Sequence, residues 1–192
     1  MGERQARVSA RERILAAAAR RFYADGIAAT GIDTITAEAG VAKMSLYNNF
    51  ASKAALVEAY VDARHDEWLG LCRARSAAAS SPAERVLAVF DAYLDHAAAA
   101  YDHGFRGCGL LNAAAELGTD DPARAAVRRH KEEVEVILAE RLAEAAGPER
   151  AEGLAEHLSF LLEGAVARAG LEGGDARLVR ARAIAADLLA AP

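Results

Sequence analysis

The sequence predicts an all-helical fold, and its composition and punctuation lead to that prediction. The 192 residues contain only four prolines, and no run rich in Val, Ile and Thr alternates apolar with polar side chains as a strand would. Capping residues, glycines and apolar side chains at helical spacing instead divide the chain into nine helices. With 53% hydrophobic and 27% charged residues, the chain has the composition of a globular protein rather than a disordered one.

The first three predicted helices lie near the N-terminus. Ser9 and Glu12 have the spacing of a capping box, which starts a helix that ends near Gly26. A second helix extends from about Ile32 to Ala39, and a third extends from about Ala42 to Asn49. Two short helices with such a tight connection are typical of a helix-turn-helix.

The rest of the chain continues with the same start and stop signals. Ser52 caps a long fourth helix that reaches the early seventies. N-caps, prolines at first helical positions and terminal glycines mark five more helices, which begin at Ser81-Pro82, near Leu110, at Asp121-Pro122, at Gly147-Pro148 and at Gly173-Gly174-Asp175. No repeat or low-complexity linker separates them. We therefore divide the chain into residues 1–53 and 54–192, with the fourth helix shared between the two parts.

The charge is distributed unevenly between these two parts. Residues 1–53 contain eight Lys or Arg and five Asp or Glu, a net charge of +3, although the whole chain carries −5. The remaining residues therefore carry −8. Such asymmetry is typical of a nucleic-acid-binding segment attached to an acidic body, although two solvated surfaces would fit the charge equally well.

Several classes of protein are disfavoured by what the sequence lacks. The sequence contains no run of about 18 apolar residues, so no membrane span is predicted. The first residues lack the apolar centre of a secretion signal. Cys72 and Cys108 are too few for a disulfide framework and have no metal-ligand spacing, so we expect a cytoplasmic protein with reduced thiols. An all-helical enzyme is an alternative class, but the sequence contains no Ser-His-Asp or HExxH arrangement that would support it.

The segment 40–50 has two faces of different chemistry. Gly40 permits the left-handed backbone of a tight turn, and Val41 beside it is an apolar anchor. Leu46 and Phe50 share an inner face, which we expect to pack on the first two helices through Phe22, Ile35 and Ala39. The opposite face carries side chains that suit the hydrogen-bonding edges of another molecule, namely Lys43, Met44, Ser45, Tyr47 and Asn48.

These residues resemble the DNA-binding region of the TetR family of bacterial transcriptional regulators. The resemblance covers about residues 9–60 and is carried by the stretch GIAATGIDTITAEAGVAKMSLYNNFASKAALVEA. Twelve residues stand where the family pattern expects such residue types: Gly26, Thr30, Ile35, Ala39, Gly40, Val41, Leu46, Tyr47, Phe50, Ser52, Lys53 and Leu56. The C-terminal body is similar to the family only in its length and helical layout.

The resemblance implies a homodimer that binds a palindromic operator in double-stranded DNA. Residues 42–48 of each subunit would form the recognition helix, which lies in the major groove. Lys43, Ser45 and Asn48 are then the candidates for contacts with base edges. Met44 is placed to pack on a thymine methyl group. Contacts with phosphates are expected from Tyr47, Thr30 and Lys53. Repression is the commoner behaviour in the family, and we expect it here.

The chain departs from the family pattern at the starts of two helices and within the recognition helix. Gly31 replaces the Ser or Thr that often caps the second helix, and Ala42 replaces a small hydroxyl residue at the start of the third. We expect the missing cap at Ala42 to cost about 1 kcal/mol. Asn48-Asn49 stands where histidines are common. These changes bear on stability and operator sequence rather than on whether DNA is bound.

The resemblance also implies a pocket for a small, mostly apolar effector among helices four to eight, whose binding releases the operator. The candidates to line it are Trp68, Phe90, Tyr93, Leu94, Tyr101, Phe105, Leu111, Asn112, Glu116, Val134, Phe160 and Leu161. Most such side chains belong to ordinary cores, and Asn112 and Glu116 would equally suit solvent or a partner subunit. A DNA-binding protein without an effector is therefore an alternative. No cofactor is expected.

Dimerisation is expected on the last two helices, at about residues 149–171 and 175–190. The apolar stripe that we assign to it consists of His157, Leu158, Leu161, Leu162, Ala165 and Val166. Sequence alone does not distinguish this stripe from ordinary core.

Two further alternatives concern the segment 95–108. Asp-His pairs occur at 95–96 and 102–103, and Cys108 follows nearby. These residue types would suit a metal sensor, and the Cys108 thiol alone would suit a redox switch. We expect no metal site, because such sites need three or four convergent ligands. Nothing in the sequence indicates a thiol of lowered pKa, so packing between neighbouring glycines is the expected role of Cys108.

Overall fold

The computed structural model describes residues 8–98 and 104–191, which form nine α-helices and no strand. The predicted all-helical class is therefore confirmed, and the fourth helix extends beyond the early seventies to Ala77. The helices are α1 Ala10–Asp25, α2 Ile32–Ala39, α3 Lys43–Asn49, α4 Lys53–Ala77, α5 Pro82–Ala97, α6 Gly109–Glu116, α7 Pro122–Ala146, α8 Pro148–Glu172 and α9 Ala176–Ala190.

The helix caps follow the sequence closely. The Ser9 hydroxyl accepts a hydrogen bond from the Glu12 N–H at 3.2 Å, and the Glu12 carboxylate accepts one from the Ser9 N–H at 2.7 Å. This reciprocal pair satisfies two N–H groups that the first turn of a helix leaves unpaired. Gly31 and Ala42, at the starts of α2 and α3, provide no side-chain cap, as predicted.

A first hydrophobic cluster joins the three N-terminal helices to the start of α4. Its buried members include Ile14, Phe22, Ile35, Leu46 and Phe50, so the predicted packing of the inner face of α3 on α1 and α2 is confirmed. Residues far along the chain complete this cluster, namely Leu110 and Ala113 of α6 with Ala123 and Val127 of α7. The N-terminal helices therefore share their core with α6 and α7.

A second cluster lies among the remaining helices. α7 packs along α8, and α5 contacts α4, α7 and α9. The long helix α4 takes part in both clusters, with Leu56 and Tyr60 in the first and Trp68 and Cys72 in the second. The helix is thus shared between the two parts of the chain, as the sequence predicted.

The loop before α6 lies tightly against both parts of the molecule. The Arg106 N–H donates to the Tyr23 hydroxyl at 2.6 Å, and that hydroxyl lies 3.2 Å from the Gly107 carbonyl oxygen. On the other side, a Cβ atom on Gly170 of α8 would lie only 2.4 Å from the Gly107 nitrogen. Because no side chain fits there, α8 and the loop meet backbone to backbone.

No helix within the described residues has the length and apolar composition needed to cross a membrane.

Candidate DNA-binding and effector sites

The connection between α2 and α3 has the geometry of a helix-turn-helix. Gly40 adopts the left-handed conformation, with φ 62° and ψ 42°, and its N–H donates to the Ala37 carbonyl at 3.2 Å. The next N–H, of Val41, donates to the Thr36 carbonyl at 3.1 Å. These two bonds satisfy carbonyl groups at the end of α2 and turn the chain directly into α3.

The outer face of α3 is exposed along its length. Leu46 is fully buried, whereas Met44 is 70% exposed and Tyr47 is 45% exposed. Asn48 is also exposed, and Ser45 is half-buried. The predicted base-reading and phosphate-binding residues of α3 therefore lie on one accessible surface, and a large exposed apolar side chain such as Met44 is a frequent mark of a contact surface.

Lys43, the first residue of α3, forms an ion pair within the protein. Its Nζ lies 2.8 Å from Oδ1 of Asp33, in the first turn of α2. The hydrogen bond to this carboxylate, together with its charge, raises the pKa of Lys43. The Lys43 ammonium group is thus held beside the first turn of α2, where it remains exposed.

Thr30 and Lys53 hold the loop between α1 and α2. The buried Thr30 hydroxyl donates to the Gly26 carbonyl at 2.6 Å. Nζ of Lys53 donates to the Ile27 carbonyl at 2.6 Å. The Thr30 hydroxyl is therefore turned into the protein rather than to a surface, whereas the Lys53 ammonium has two further N–H groups.

Asn112 and Glu116, the polar pair of α6, lie away from the interior. The Glu116 carboxylate accepts hydrogen bonds from the N–H groups of Ile27 and Ala28, at 2.9 and 2.7 Å. The Asn112 amide donates to the Arg106 carbonyl at 3.0 Å. Glu116 therefore joins α6 to the α1–α2 loop, because its carboxylate binds the backbone of the N-terminal part.

A small interior cavity lies between α4, α5, α6, α7 and α8. Its volume is about 20 Å³, which is room for about one water molecule. The indole ring of Trp68 contacts the rings of Tyr93 and His130, with centroid distances of 5.5 and 5.4 Å. The residues that line the cavity are Arg64, Trp68, Tyr93, His96, Phe105, Cys108, Gly109, Leu110, His130 and Val166.

The structure distributes the predicted pocket residues over several environments. Trp68, Tyr93 and Phe105 line the cavity. Phe90 and Val134 are buried in the second cluster, with Leu94 and Leu161 packed against it. Leu111 and Phe160 are exposed, at 39% and 66%, because they lie on the outer faces of α6 and α8. Tyr101 lies outside the described residues.

Sequence reasoning missed the polar lining of the cavity. Arg64, His96 and His130 resemble the many charged and polar residues of solvated helix faces, so composition alone did not single them out. One available signal was the spacing of Arg64 and Trp68, which are four residues apart on α4 and therefore share a face.

The cavity has buried ionisable groups around it. Nζ of Lys131 lies 2.7 Å from the Glu163 carboxylate, 3.3 Å from the Tyr93 hydroxyl and 3.5 Å from the Cys108 sulfur. Burial alone would lower the pKa of Lys131, but the combined effect of these neighbours raises it, so the ammonium form persists. Burial raises the pKa of Tyr93.

The two histidines of the cavity are held neutral. Burial, followed by the positive charges of Arg64 and Lys131, lowers the pKa of His96 to about 4. Burial also lowers the pKa of His130 to about 3, with Lys131 as the next cause. Nδ1 of His130 lies 3.0 Å from Nδ1 of His65, so one of these two nitrogens carries the proton and the other accepts it.

The described residues contain no group of three His, Cys, Asp or Glu side chains that would hold a metal ion. Asp95, part of the first Asp-His pair, is bound by Arg75, whose Nε lies 2.6 Å from the Asp95 carboxylate. The second pair, 102–103, lies outside the described residues. Cys72 is buried and Cys108 is half-buried, and both are free thiols.

The stripe predicted for dimerisation divides between the core and the surface. Leu158, Leu162 and Val166 are at most 1% exposed, because this face of α8 packs inward. Ala165 is also buried, Leu161 is half-buried, and His157 is exposed. The outward face of α8 instead presents Phe160, and two surface grooves around it are lined by Gly153, Glu156, His157, Leu161, Gly164 and Arg168 with residues of α9.

Comparisons with known proteins agree with this architecture. The family model described as bacterial regulatory proteins of the tetR family matches residues 14–60. The model described as the tetracyclin repressor-like C-terminal domain matches residues 82–185. No curated protein matches the chain.

Solved structures are similar over nearly the whole chain. A TetR-family transcriptional regulator from Streptomyces coelicolor is 31% identical, with a TM-score of 0.84 over 95% of this chain and 96% of that one. A TetR transcriptional regulator from Chloroflexus aurantiacus is 27% identical, with a TM-score of 0.78 over 94% of this chain and 93% of that one. The regulatory protein TetR from Rhodobacter sphaeroides is 26% identical, with a TM-score of 0.79 over 93% and 97%.

A helix-turn-helix with an exposed second helix, attached to a larger helical body, defines a DNA-binding transcriptional regulator rather than an enzyme. The two matched regions and the similarity over the full chain are specific enough to go further. This chain belongs to the TetR family of bacterial transcriptional regulators.

Proposed function

We propose that the protein is a repressor that binds a palindromic operator as a homodimer in the cytoplasm and is released by a small effector. The proposal assigns residues 1–53 to DNA binding and residues 54–192 to the effector and to dimerisation. The observation that carries it is the outer face of α3, which exposes polar and apolar side chains while Leu46 on the inner face is buried. Met44 and Tyr47 are two large side chains exposed next to each other, and such clustered exposed apolar surface is typical of a binding surface.

The side chains of this face divide between sequence reading and positioning. Lys43, Ser45 and Asn48 are the proposed contacts with base edges, because they supply donors and acceptors that match the major groove. Met44 packs on a thymine methyl group. Tyr47 and Lys53 bind phosphates, with Lys53 using the N–H groups that the Ile27 carbonyl leaves free. Thr30 contributes through the loop that its hydroxyl holds, not by direct contact.

The homodimer is proposed on the outward faces of α8 and α9. Phe160 is 66% exposed on α8, and the groove beside it is lined mostly by apolar and small residues of both helices. A two-fold axis would place the same face of each subunit against the other. His157 and Leu161 take part on this face, whereas the inward residues of the predicted stripe support it from the core.

The effector is proposed to act on DNA binding through the segment 105–116. Phe105, Cys108 and Leu110 line the cavity at one end of this segment. Glu116, at the other end, binds the loop between α1 and α2. An effector that favours a conformer with a wider cavity would shift this segment and α4, and so move the two α3 helices out of register with the operator.

Selection of bound duplexes from a random pool, followed by affinity measured against salt concentration, tests the DNA-binding part. We expect an enriched palindrome and a steep fall of affinity with salt, because phosphate contacts release counterions. No enrichment from a folded dimer would refute the proposal.

Single variants then test the placement of α3. Replacing Lys43, Ser45 or Asn48 by Ala should change the preferred base at one position of each half-site. Tyr47→Phe and Lys53→Gln should weaken binding to all sequences alike, by about threefold to thirtyfold, because they remove phosphate contacts only. The reverse division would mean that another face of α3 enters the groove.

A regulator without an effector is the second candidate, and the volume of the cavity favours it. About 20 Å³ admits no organic ligand unless the surrounding side chains move apart. A compound that raises the melting temperature and also weakens operator binding would exclude this candidate, since a ligand stabilises the state that it binds.

A further inference from the structure

Trp68 presents a buried hydrogen-bond donor that has no acceptor. It is the only tryptophan of the chain, and it is 3% exposed. Among the described residues, its Nε1 has no hydrogen-bond partner. Buried donors in native proteins are nearly always paired, so an unpaired one that lines a cavity indicates a water molecule or a ligand that accepts its proton.

The polar groups around the cavity include further donors. Nη2 of Arg64 lies 3.4 Å from Nδ1 of His96 at the cavity wall. The Tyr93 oxygen accepts a hydrogen bond from Lys131 at 3.3 Å, so the Tyr93 hydroxyl keeps its own O–H as a donor. None of the residues that line the cavity is Asp or Glu.

The charges close to the cavity favour an anion in it. Arg64 is itself part of the lining, and Lys131 lies behind Tyr93. After burial, it is these two positive charges that lower the pKa of His96, and Lys131 acts in the same way on His130. The positive charges of Arg64 and Lys131 favour a negative charge in the cavity, whereas burial, the larger cause of the low histidine pKa values, disfavours a charge of either sign.

The acidic partners of the two cations lie outside the cavity. Glu67 pairs with Arg64 at 2.5 Å, and its side chain is 47% exposed. Glu163 pairs with Lys131 at 2.7 Å and lines a groove between α7 and α8 instead of the cavity. Its second carboxylate oxygen is also buried without a hydrogen-bond partner among the described residues, but Glu163 does not line the cavity and so does not supply the acceptor that Trp68 lacks.

We propose that this cavity binds a small carboxylic acid in its carboxylate form. The carboxylate accepts hydrogen bonds from the Trp68 indole N–H and from the Arg64 guanidinium, whose planar fork matches two carboxylate oxygens. The apolar part of the ligand lies against Phe105, Leu110 and Val166. This assignment rests on the proposed effector function, and it adds the chemical class of the ligand. Because the cavity holds about one water molecule, the ligand is small and binds a wider conformer.

The single tryptophan supplies a direct readout. The full-length protein is titrated with acetate, butyrate, benzoate and phenylacetate, and in parallel with the primary amide of each acid. We expect at least one carboxylate to change the Trp68 fluorescence and raise the melting temperature, with an affinity at least tenfold higher than that of its amide. Equal affinity of acid and amide, or no binding by any of the four acids, would overturn the assignment.

Variants on α4 test the two assigned contacts. Arg64→Gln should weaken carboxylate binding at least tenfold and amide binding much less, because the amide loses a hydrogen bond but no ion pair, whereas Arg73→Gln, at an exposed position of the same helix, should change neither. Trp68→Phe keeps an aromatic ring but removes the N–H, so carboxylate affinity should fall about fivefold to tenfold by calorimetry. Circular dichroism confirms that each variant is folded. Equal effects of Arg64→Gln and Arg73→Gln would contradict a specific site.

Operator binding, measured in the same samples, separates this inference from the proposed function. Carboxylate binding that weakens operator binding supports both. Carboxylate binding without any effect on operator binding supports the assignment of the ligand and refutes the effector role.

Discussion

Glu116 shows how far a single residue lies from what its sequence neighbourhood predicts. Its position four residues after Asn112 in an apolar helix predicted a polar anchor inside a pocket, or equally a side chain facing solvent or a partner subunit. The structure instead pairs its carboxylate with the N–H groups of Ile27 and Ala28. Backbone partners almost ninety residues away leave no trace in a sequence pattern, because any residue type supplies an N–H.

Glu116→Ala should therefore weaken operator binding and lower the free energy of unfolding by about 1 kcal/mol, because two charge-assisted hydrogen bonds to the α1–α2 loop are lost. Asp120→Ala removes a nearby exposed carboxylate and is the matched control. Urea unfolding and operator titration measure both quantities. If the two variants behave alike, the Glu116 contacts do not hold the loop in solution.

The helices themselves were largely predictable, because their signals are local. Ser9 with Glu12, Ser52 and Ser81 each lie where the predicted N-cap forms, and Gly40 ends α2 in the left-handed conformation. The inner face of α3 was predictable as well, since apolar spacing alone defines it. The shared core of α1–α3 with α6 and α7 was not, because long-range packing depends on the path of the whole chain.

Ala42→Ser should stabilise α3. Ala42 already has the extended backbone of an N-cap, with φ −69° and ψ 149°, but lacks a side-chain acceptor. A serine there accepts a hydrogen bond from the first turn, and we expect the free energy of unfolding to rise by about 0.5–1 kcal/mol. Ala51→Ser, in the exposed bend after α3, adds the same hydroxyl outside a cap and should change little. Equal effects of the two serines on thermal unfolding would argue against capping.

At the scale of the whole molecule, buried neutral histidines make stability depend on pH. The pKa of His96 is lowered to about 4 and that of His130 to about 3, chiefly by burial. An unfolded histidine titrates near a pKa of about 6.5. Between these values the unfolded chain binds more protons than the native protein, so stability is complete above about pH 6.5 and is lost as the pH falls.

From pH 7 to pH 5.5 the free energy of unfolding should thus decrease by about 2 kcal/mol, since most carboxylates titrate below this range. Urea unfolding at several pH values measures the slope. The double variant His96→Gln with His130→Gln should flatten it, whatever its absolute stability. The exposed His157→Gln is the control and should leave the slope unchanged. A wild-type stability that is constant over this range would contradict the prediction.

The first hydrophobic cluster also has a consequence for protein engineering. Grafting the N-terminal helices onto another regulator by cutting at residue 53 would strip them of Leu110, Ala113, Ala123 and Val127, which complete their core. A chimera that keeps its operator specificity must carry the first turns of α4, the helix α6 and the first turns of α7 along with the helix-turn-helix, or receive equivalent apolar surfaces from the recipient. The unit that is exchangeable between regulators is discontinuous along the chain.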